Sequence, residues 1–338
     1  MVPMRVPLSF GSAAAWLAVP TVLLAQAPAP DSVRALLRSG ARDVALAYAR
    51  AQSQTLPNDA WAHHALALAA LAHDDHDAAV AAAERSVQLS PNESRHHELL
   101  GDAYFEKAGA AGGLGALGSA KKGKAAMERA VALDPDNLGA RNSLVGFHLE
   151  APGIAGGDKA EAARQAAEIA RRDPARGVAA KLRVALVSND EYEVTYAFEQ
   201  ALQVMATAGD STNLVRNALL NAVPQTKKDA TKEKLMARLY AALPGDPVVR
   251  YARARMWVIQ GKQLADAVGL LQSYLALPQP PAGAASFGGA HWRLGQAYEK
   301  LKREPEALAE YRRAVDLLPQ LEDAKQDLAR LERRLARR

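Results

Sequence analysis

From Asp31 to Arg338 the apolar residues recur at intervals of three and four, and the strict alternation of a half-buried strand is nearly absent. This pattern predicts helices throughout. It is most complete in His291–Pro319, where Leu294, Gly295 and Tyr298 fall on one helical stripe, Ala307, Tyr311 and Ala314 on a second, and Pro319 ends the second helix. The same arrangement recurs upstream. Pro57 and Pro91 stand 34 residues apart and enclose Leu66, Ala67 and Ala79 in the packing slots. Leu100, Gly101, Tyr104 and Ala130 repeat it before Pro135, which lies 44 residues after Pro91. Pro174 closes a fourth unit 39 residues later, beginning near Leu144. The surplus over 34 falls in Gly109–Gly123 and in Ala151–Gly157, both glycine-rich, and both are expected to be insertions, the first a flexible basic loop. Between Ala175 and Pro247 the apolar period persists without regular prolines. A further unit spans Val248–Pro278, and Leu328, Leu331 and Leu335 supply an apolar stripe for a last helix.

A hairpin of two helices with Leu-Gly, Tyr, Ala, an aromatic, Ala and Pro at these spacings resembles the tetratricopeptide repeat. His291 departs from the family pattern, standing where Trp is usual, with Trp292 one residue late. The resemblance implies an all-α, right-handed superhelical solenoid of antiparallel helix pairs. It divides the chain into a capping segment (26–57), repeats with two insertions (58–174), degenerate helical repeats (175–247), further repeats (248–319) and a C-terminal capping helix (320–338). It also implies a groove lined by the first helix of each hairpin, on the stripe not used for packing. By spacing that stripe holds Trp61, His64 and Leu68, then Arg95, Glu98 and Asp102, then Asn142 and Gly146, and finally Trp292, Gln296 and Glu299. Family members that grip a terminal carboxylate use Lys and Asn there; Leu68, Glu98, Asp102 and Gly146 do not fit such a clamp. Trp61 and Trp292 are the expected anchors for a protein or peptide partner.

Composition narrows the chemistry. The chain has no cysteine, which excludes disulfides, thiolate metal sites, cysteine nucleophiles and the acylated cysteine of a lipoprotein. A net charge of +5 with interleaved signs gives no reason to expect nucleic acid. Arg330, Arg333, Arg334, Arg337 and Arg338 gather near the C-terminus of the last helix, where its dipole favours cations. At the other end, Arg5, an apolar run from Val6 to Ala25 and the small residues around Ala25 fit a secretory signal peptide (1–25). An exported bacterial protein, periplasmic or secreted, with no stable membrane span once that segment is removed, is therefore expected.

Three strings invite a catalytic or cofactor reading. Gly113-Leu114-Gly115-Ala116-Leu117-Gly118 matches a dinucleotide fingerprint, and Gly118–Ala125 nearly matches a phosphate-binding loop, but Ala125 replaces the Mg²⁺-binding hydroxyl and no strand feeds either string. A basic loop carrying Lys121, Lys122 and Lys124 is the expectation. Six of eight histidines lie between His63 and His97, and His73-Asp74-Asp75-His76 offers imidazoles and carboxylates suited to a divalent metal. A polar inter-helix turn accounts for the same residues, so metal binding at His73 and His76 stands as the alternative. No nucleophile elbow or zinc helix is present, and no cofactor is expected. The leading expectation is a non-enzymatic binding scaffold.

Overall fold

The computed structural model describes residues 29–111, 113–188, 190–209 and 212–337; the expected signal peptide and the first residues of the expected capping segment lie outside them. Among the described residues there are seventeen α-helices and no strands. The all-helical expectation holds. The chain divides into two compact units, the first ending at Arg172 and the second beginning at Asp173.

The first unit holds α1 (Ala29–Arg38), α2 (Arg42–Thr55), α3 (Ala60–Ala72), α4 (His76–Leu89), α5 (Ser94–Ala110), α6 (Gly113–Leu133), α7 (Leu138–Glu150) and α8 (Lys159–Arg172). Consecutive helices pack as hairpins, α3 with α4, α5 with α6 and α7 with α8, and each hairpin packs on the next. Side-chain acceptors start several of them: Asp59 accepts from the Trp61 amide at 2.8 Å, and Asn137 from that of Ala140 at 2.9 Å. The core is built largely of alanine, with Ala65, Ala67, Ala69, Ala79, Ala83 and Ala103 buried, so helix axes approach closely where larger side chains would hold them apart.

One bond recurs at the joints between hairpins. Nε2 of His63 lies 2.9 Å from the Pro57 carbonyl, Nε2 of His97 lies 2.9 Å from that of Pro91, and Nε of Arg141 donates to that of Pro135 at 2.8 Å. Each is the residue at the slot where the family carries Trp, reaching back six positions to the proline that ends the preceding hairpin. The polar departure at His291 is thus general in this chain, although His291 bonds Glu310 instead, at 2.5 Å.

The insertion at Gly109–Gly123 is not a loop. α5 runs to Ala110 and α6 begins at Gly113, so the surplus lengthens both helices, to 17 and 21 residues. Ala, Leu and Lys favour helix, which offsets the roughly 1 kcal/mol that each glycine costs relative to alanine, and Gly123 is needed for contact, as is Gly101 earlier in α5. A Cβ on Gly123 would stand 2.6 Å from the Phe105 ring, and one on Gly101 would stand 2.8 Å from Met127. The second insertion closes on a short 3₁₀ turn, Gly153–Ala155, ended by Gly156 at φ +95°.

The second unit holds α9 (Pro174–Ser188), α10 (Glu191–Met205), α11 (Thr212–Gln225), α12 (Asp229–Ala242), α13 (Pro247–Gln260), α14 (Leu264–Leu275), α15 (Phe287–Lys300), α16 (Glu304–Leu317) and α17 (Glu322–Ala336). Phe198, Leu219, Leu235 and Leu239 fill its first core, while Leu271, Leu294, Tyr298, Tyr311 and Leu331 fill its second. Leu331 of α17 is fully buried, with Leu328 and Leu335 packed beside it, against the side chains of the last hairpin. Gly295 is required for the contact between α15 and α16, since a Cβ there would stand 2.6 Å from the Tyr311 ring. Gly295→Ala is expected to cost about 2 kcal/mol by overpacking, measured by urea denaturation; an unchanged midpoint would show that the ring yields freely.

Candidate functional site

The side chains expected to line a groove separate into two groups, one in each unit. In the first, α3 and α5 bring Trp61 against the rings of His64 and His96, with centroids 5.1 and 4.5 Å away, and the guanidinium of Arg95 lies 4.4 Å over the indole. The histidine rings share a hydrogen bond, Nδ1 to Nδ1 at 3.1 Å, and both Nε2 atoms are buried without a partner. Burial, with the neighbouring His96, Arg34 and Arg95, lowers the His64 pKa to about 3 and keeps its ring neutral. One turn further along α5, Glu98 accepts from Asn137 Nδ2 at 2.9 Å. Its carboxylate rests on Gly139, where a Cβ would meet Oε1 at 2.0 Å. Asp102 accepts from the Ser143 hydroxyl at 3.3 Å. Its carboxyl is pushed up to about 7, by burial first and then by Glu98 and Glu106, the Ser143 bond only partly opposing this. Asn142 is exposed, and Leu68 is half-buried against the α1–α3 core.

In the second unit the predicted residues converge on α17. Trp292 Nε1 and Gln296 Nε2 both donate to Asp327 Oδ2, at 2.9 and 3.1 Å. Glu299 accepts from Arg330 at 2.6 and 2.9 Å and from the Tyr311 hydroxyl at 2.8 Å, and it pairs with Arg334 at 3.0 Å. Trp292 is therefore tied to the terminal helix, with Arg293 stacked 4.0 Å over its ring, and does not stand free as an anchor. Arg330 and Arg334, expected as solvated dipole partners, are structural cations. The side chains border a cavity of about 500 Å³ between α13, α15 and α17, into which Arg293, Lys300 and Lys302 also face.

The lysines of the first insertion lie on α6. Lys121 and Lys122 are exposed, with the Lys122 ammonium 5.3 Å over the Tyr104 ring, and Lys124 pairs with Glu128 at 3.2 Å. The glycine string of the fingerprint lies within the same helix, with α5 before it, so the strand-loop-helix context is lacking. His73 and His76 flank the turn between α3 and α4, where Asp74 takes φ +57° and Asp75 caps α4 by accepting from the Ala78 amide at 3.2 Å. His73 Nε2 lies 3.7 Å from Asp43. Among the described residues no group of three or more His, Cys, Asp or Glu could hold a metal ion. Sequence spacing missed His96, Arg293 and Asp327; His96 carried a signal, since it lies 32 residues after His64, close to one repeat period.

A family model for the tetratricopeptide repeat matches residues 288–321, the hairpin of α15 and α16. No curated protein matches the chain. Among solved structures it is similar to a tetratricopeptide repeat protein from Parabacteroides merdae, at 12% identity over 79% of this chain and 96% of that one, with a TM-score of 0.41. It is similar also to a human IFIT1 dimer with PPP-AAAA, at 13% identity over 91% and 72%, with a TM-score of 0.49. A third, Acl4, the assembly chaperone of RpL4, is 19% identical over 80% and 94%, with a TM-score of 0.39. No helix of the described residues is long and apolar enough to cross a membrane.

Proposed function

We propose that this chain is a non-enzymatic scaffold that binds a protein or peptide partner along the first helices of its hairpins, and that it works as an exported protein of a bacterial envelope. The tetratricopeptide match at 288–321, one hairpin in a series of like design, carries the reading. Stacked hairpins of this kind present extended binding surfaces. In the first unit the ledge of Trp61 and Arg95 supplies an aromatic face and a guanidinium, the residue types that dominate binding energy at interfaces. The buried, neutral His64 and His96 behind Trp61 fix its ring and so reduce the entropy lost on binding. The export part rests on the apolar run Val6–Ala25 and its small-residue end.

The test is photo-crosslinking in cells followed by affinity capture and mass spectrometry. Trp61→Ala with Arg95→Ala is expected to reduce the recovered partner about tenfold, with helicity retained by circular dichroism. Equal recovery by the variant would remove the ledge from the binding surface, and no enrichment by the parent chain would remove the scaffold reading. Cell fractionation checks the address: the mature chain is expected outside the cytoplasm with Gln26 as its first residue.

A further inference from the structure

α10 opens on Glu191-Tyr192-Glu193 and brings Tyr196, one turn later, onto the face of Tyr192. Both rings stand in solvent, at 76% and 58% exposure, whereas Val194, Phe198 and Ala201 of the same helix are buried. The rings lie nearly parallel, at 14°, with their centroids 6.3 Å apart. Asp190 holds the backbone beneath them by accepting from the amides of Tyr192 and Glu193 at 2.7 and 3.3 Å. Two adjoining aromatic faces are thus presented to water.

Elsewhere this chain covers its aromatic faces with cations. A guanidinium lies 4.0 to 4.5 Å over Trp61, Tyr240, Trp257, Trp292 and Tyr298. Among the described residues no cation lies over Tyr192 or Tyr196. α10 carries three glutamates and no basic residue. Lys228, Lys234 and Arg238 of α12 lie beside Glu191 and Glu199, and Arg238 holds Glu199 through two bonds at 2.8 and 2.7 Å. By helical spacing the tyrosines separate those two glutamates from Glu193. Glu193 is exposed and pairs with no cation among the described residues.

A guest that answers this surface must lie flat on the rings and bring positive charge to Glu193. The arginine guanidinium does both, being planar and weakly hydrated, whereas the lysine ammonium is compact and strongly hydrated. A nucleic acid would set phosphates against Glu193, and a neutral ring would leave that carboxylate unmatched.

We propose that Tyr192, Tyr196 and Glu193 form a docking surface for an arginine-bearing peptide segment of a protein partner, the guanidinium stacking on the two rings and pairing with Glu193. α10 packs as the second helix of a hairpin with α9, so this contact lies outside the row of first helices and goes beyond the binding surface proposed above.

Fluorescence anisotropy on the full chain tests it, with a labelled, end-capped Arg/Ser peptide as the probe and Lys/Ser and citrulline/Ser peptides of equal length as competitors. The probe is expected to bind, about tenfold more weakly to Tyr192→Ser with Tyr196→Ser and about threefold more weakly to Glu193→Gln. All three positions are exposed, so the variants are expected to keep the helicity and melting temperature of the parent. The Lys/Ser peptide is expected to displace the probe several-fold less well than unlabelled Arg/Ser, and citrulline/Ser hardly at all. Absence of binding, equal affinity for the double tyrosine variant, or displacement by citrulline/Ser as effective as by unlabelled Arg/Ser would each overturn the site. Light scattering supplies a further check: self-association of the parent that the tyrosine variant loses would give the rings to a second copy of the chain and overturn the proposal.

Discussion

Glu299→Ala is expected to lower the stability of the second unit by about 3 kcal/mol, because it strips one carboxylate from three groups that depend on it. Tyr311 is fully buried and loses the acceptor of its hydroxyl, and Arg330 and Arg334 lose their common partner while α17 holds them against α15. The protonation balance points the same way. Burial alone would raise the Glu299 pKa, but hydrogen bonds from Arg330 and Tyr311 and the charges of Arg330 and Arg334 override it and bring the group down to about 2. A carboxylate with a depressed native pKa stabilises the fold above its unfolded value and loses that contribution as pH falls through the native one. The stabilising effect of Glu299 is therefore present at neutral pH and disappears on acidification from about 4.5 toward 2. Urea denaturation of the parent and of Glu299→Ala at neutral pH measures the loss, with Glu299→Gln as a milder control that still accepts from Tyr311. A loss under about 1 kcal/mol would mean that the network behaves as an exposed surface pair.

Asp102→Asn is expected to stabilise the first unit above neutral pH by about 2 kcal/mol, by less than half of that at pH 5, and to change little at about pH 4. The sign is opposite to that of Glu299. With a native pKa raised to about 7, Asp102 binds a proton more tightly in the folded than in the unfolded chain, so stability falls as pH rises from about 4 to 7 and stays reduced above it. Asparagine keeps an acceptor for Ser143 and removes the charge that burial, Glu98 and Glu106 oppose. His64 tilts the profile the other way: its neutral, buried ring makes folding less favourable as pH drops from about 6.5 toward 3. The difference between parent and variant isolates Asp102, and thermal melts across pH 5 to 9 supply it. A difference that does not vary with pH would place Asp102 in water-like surroundings.

The fold was legible because its determinants are local and periodic. Leu294, Gly295, Tyr298, Ala307, Tyr311 and Ala314 occupy fixed slots, and all six are buried. The glycines at 109–123 misled because glycine marks loops in an isolated segment, whereas here Gly123 lies within a helix and is small for the sake of Phe105 on the facing helix. That reason becomes visible only when the two helices are paired. The site was legible in part. Trp61 and His64 fall together as their spacing implies, but Trp292, Gln296 and Glu299 owe their state to Asp327 and Arg330, which lie 31 to 35 residues away in the terminal helix. Arg330 was read from sequence only as a cation favoured by the dipole of its own helix, because nothing local identifies a partner one repeat distant.

The hydrogen bonds from His63, His97 and Arg141 to the prolines six residues before them bear on mechanics. Each crosses a joint between successive hairpins, so opening that joint under tension requires breaking a side-chain bond as well as separating apolar faces. Three joints in succession thus carry the same latch, and their compliance is set one by one, like links of matched stiffness. The joint before α15 lacks it, since His291 spends its ring on Glu310 within its own hairpin. Other bonds hold that joint, from Lys300 to the Val258 carbonyl at 2.7 Å and from Gln272 to the Tyr298 hydroxyl at 3.0 Å, so its resistance to load has a different source.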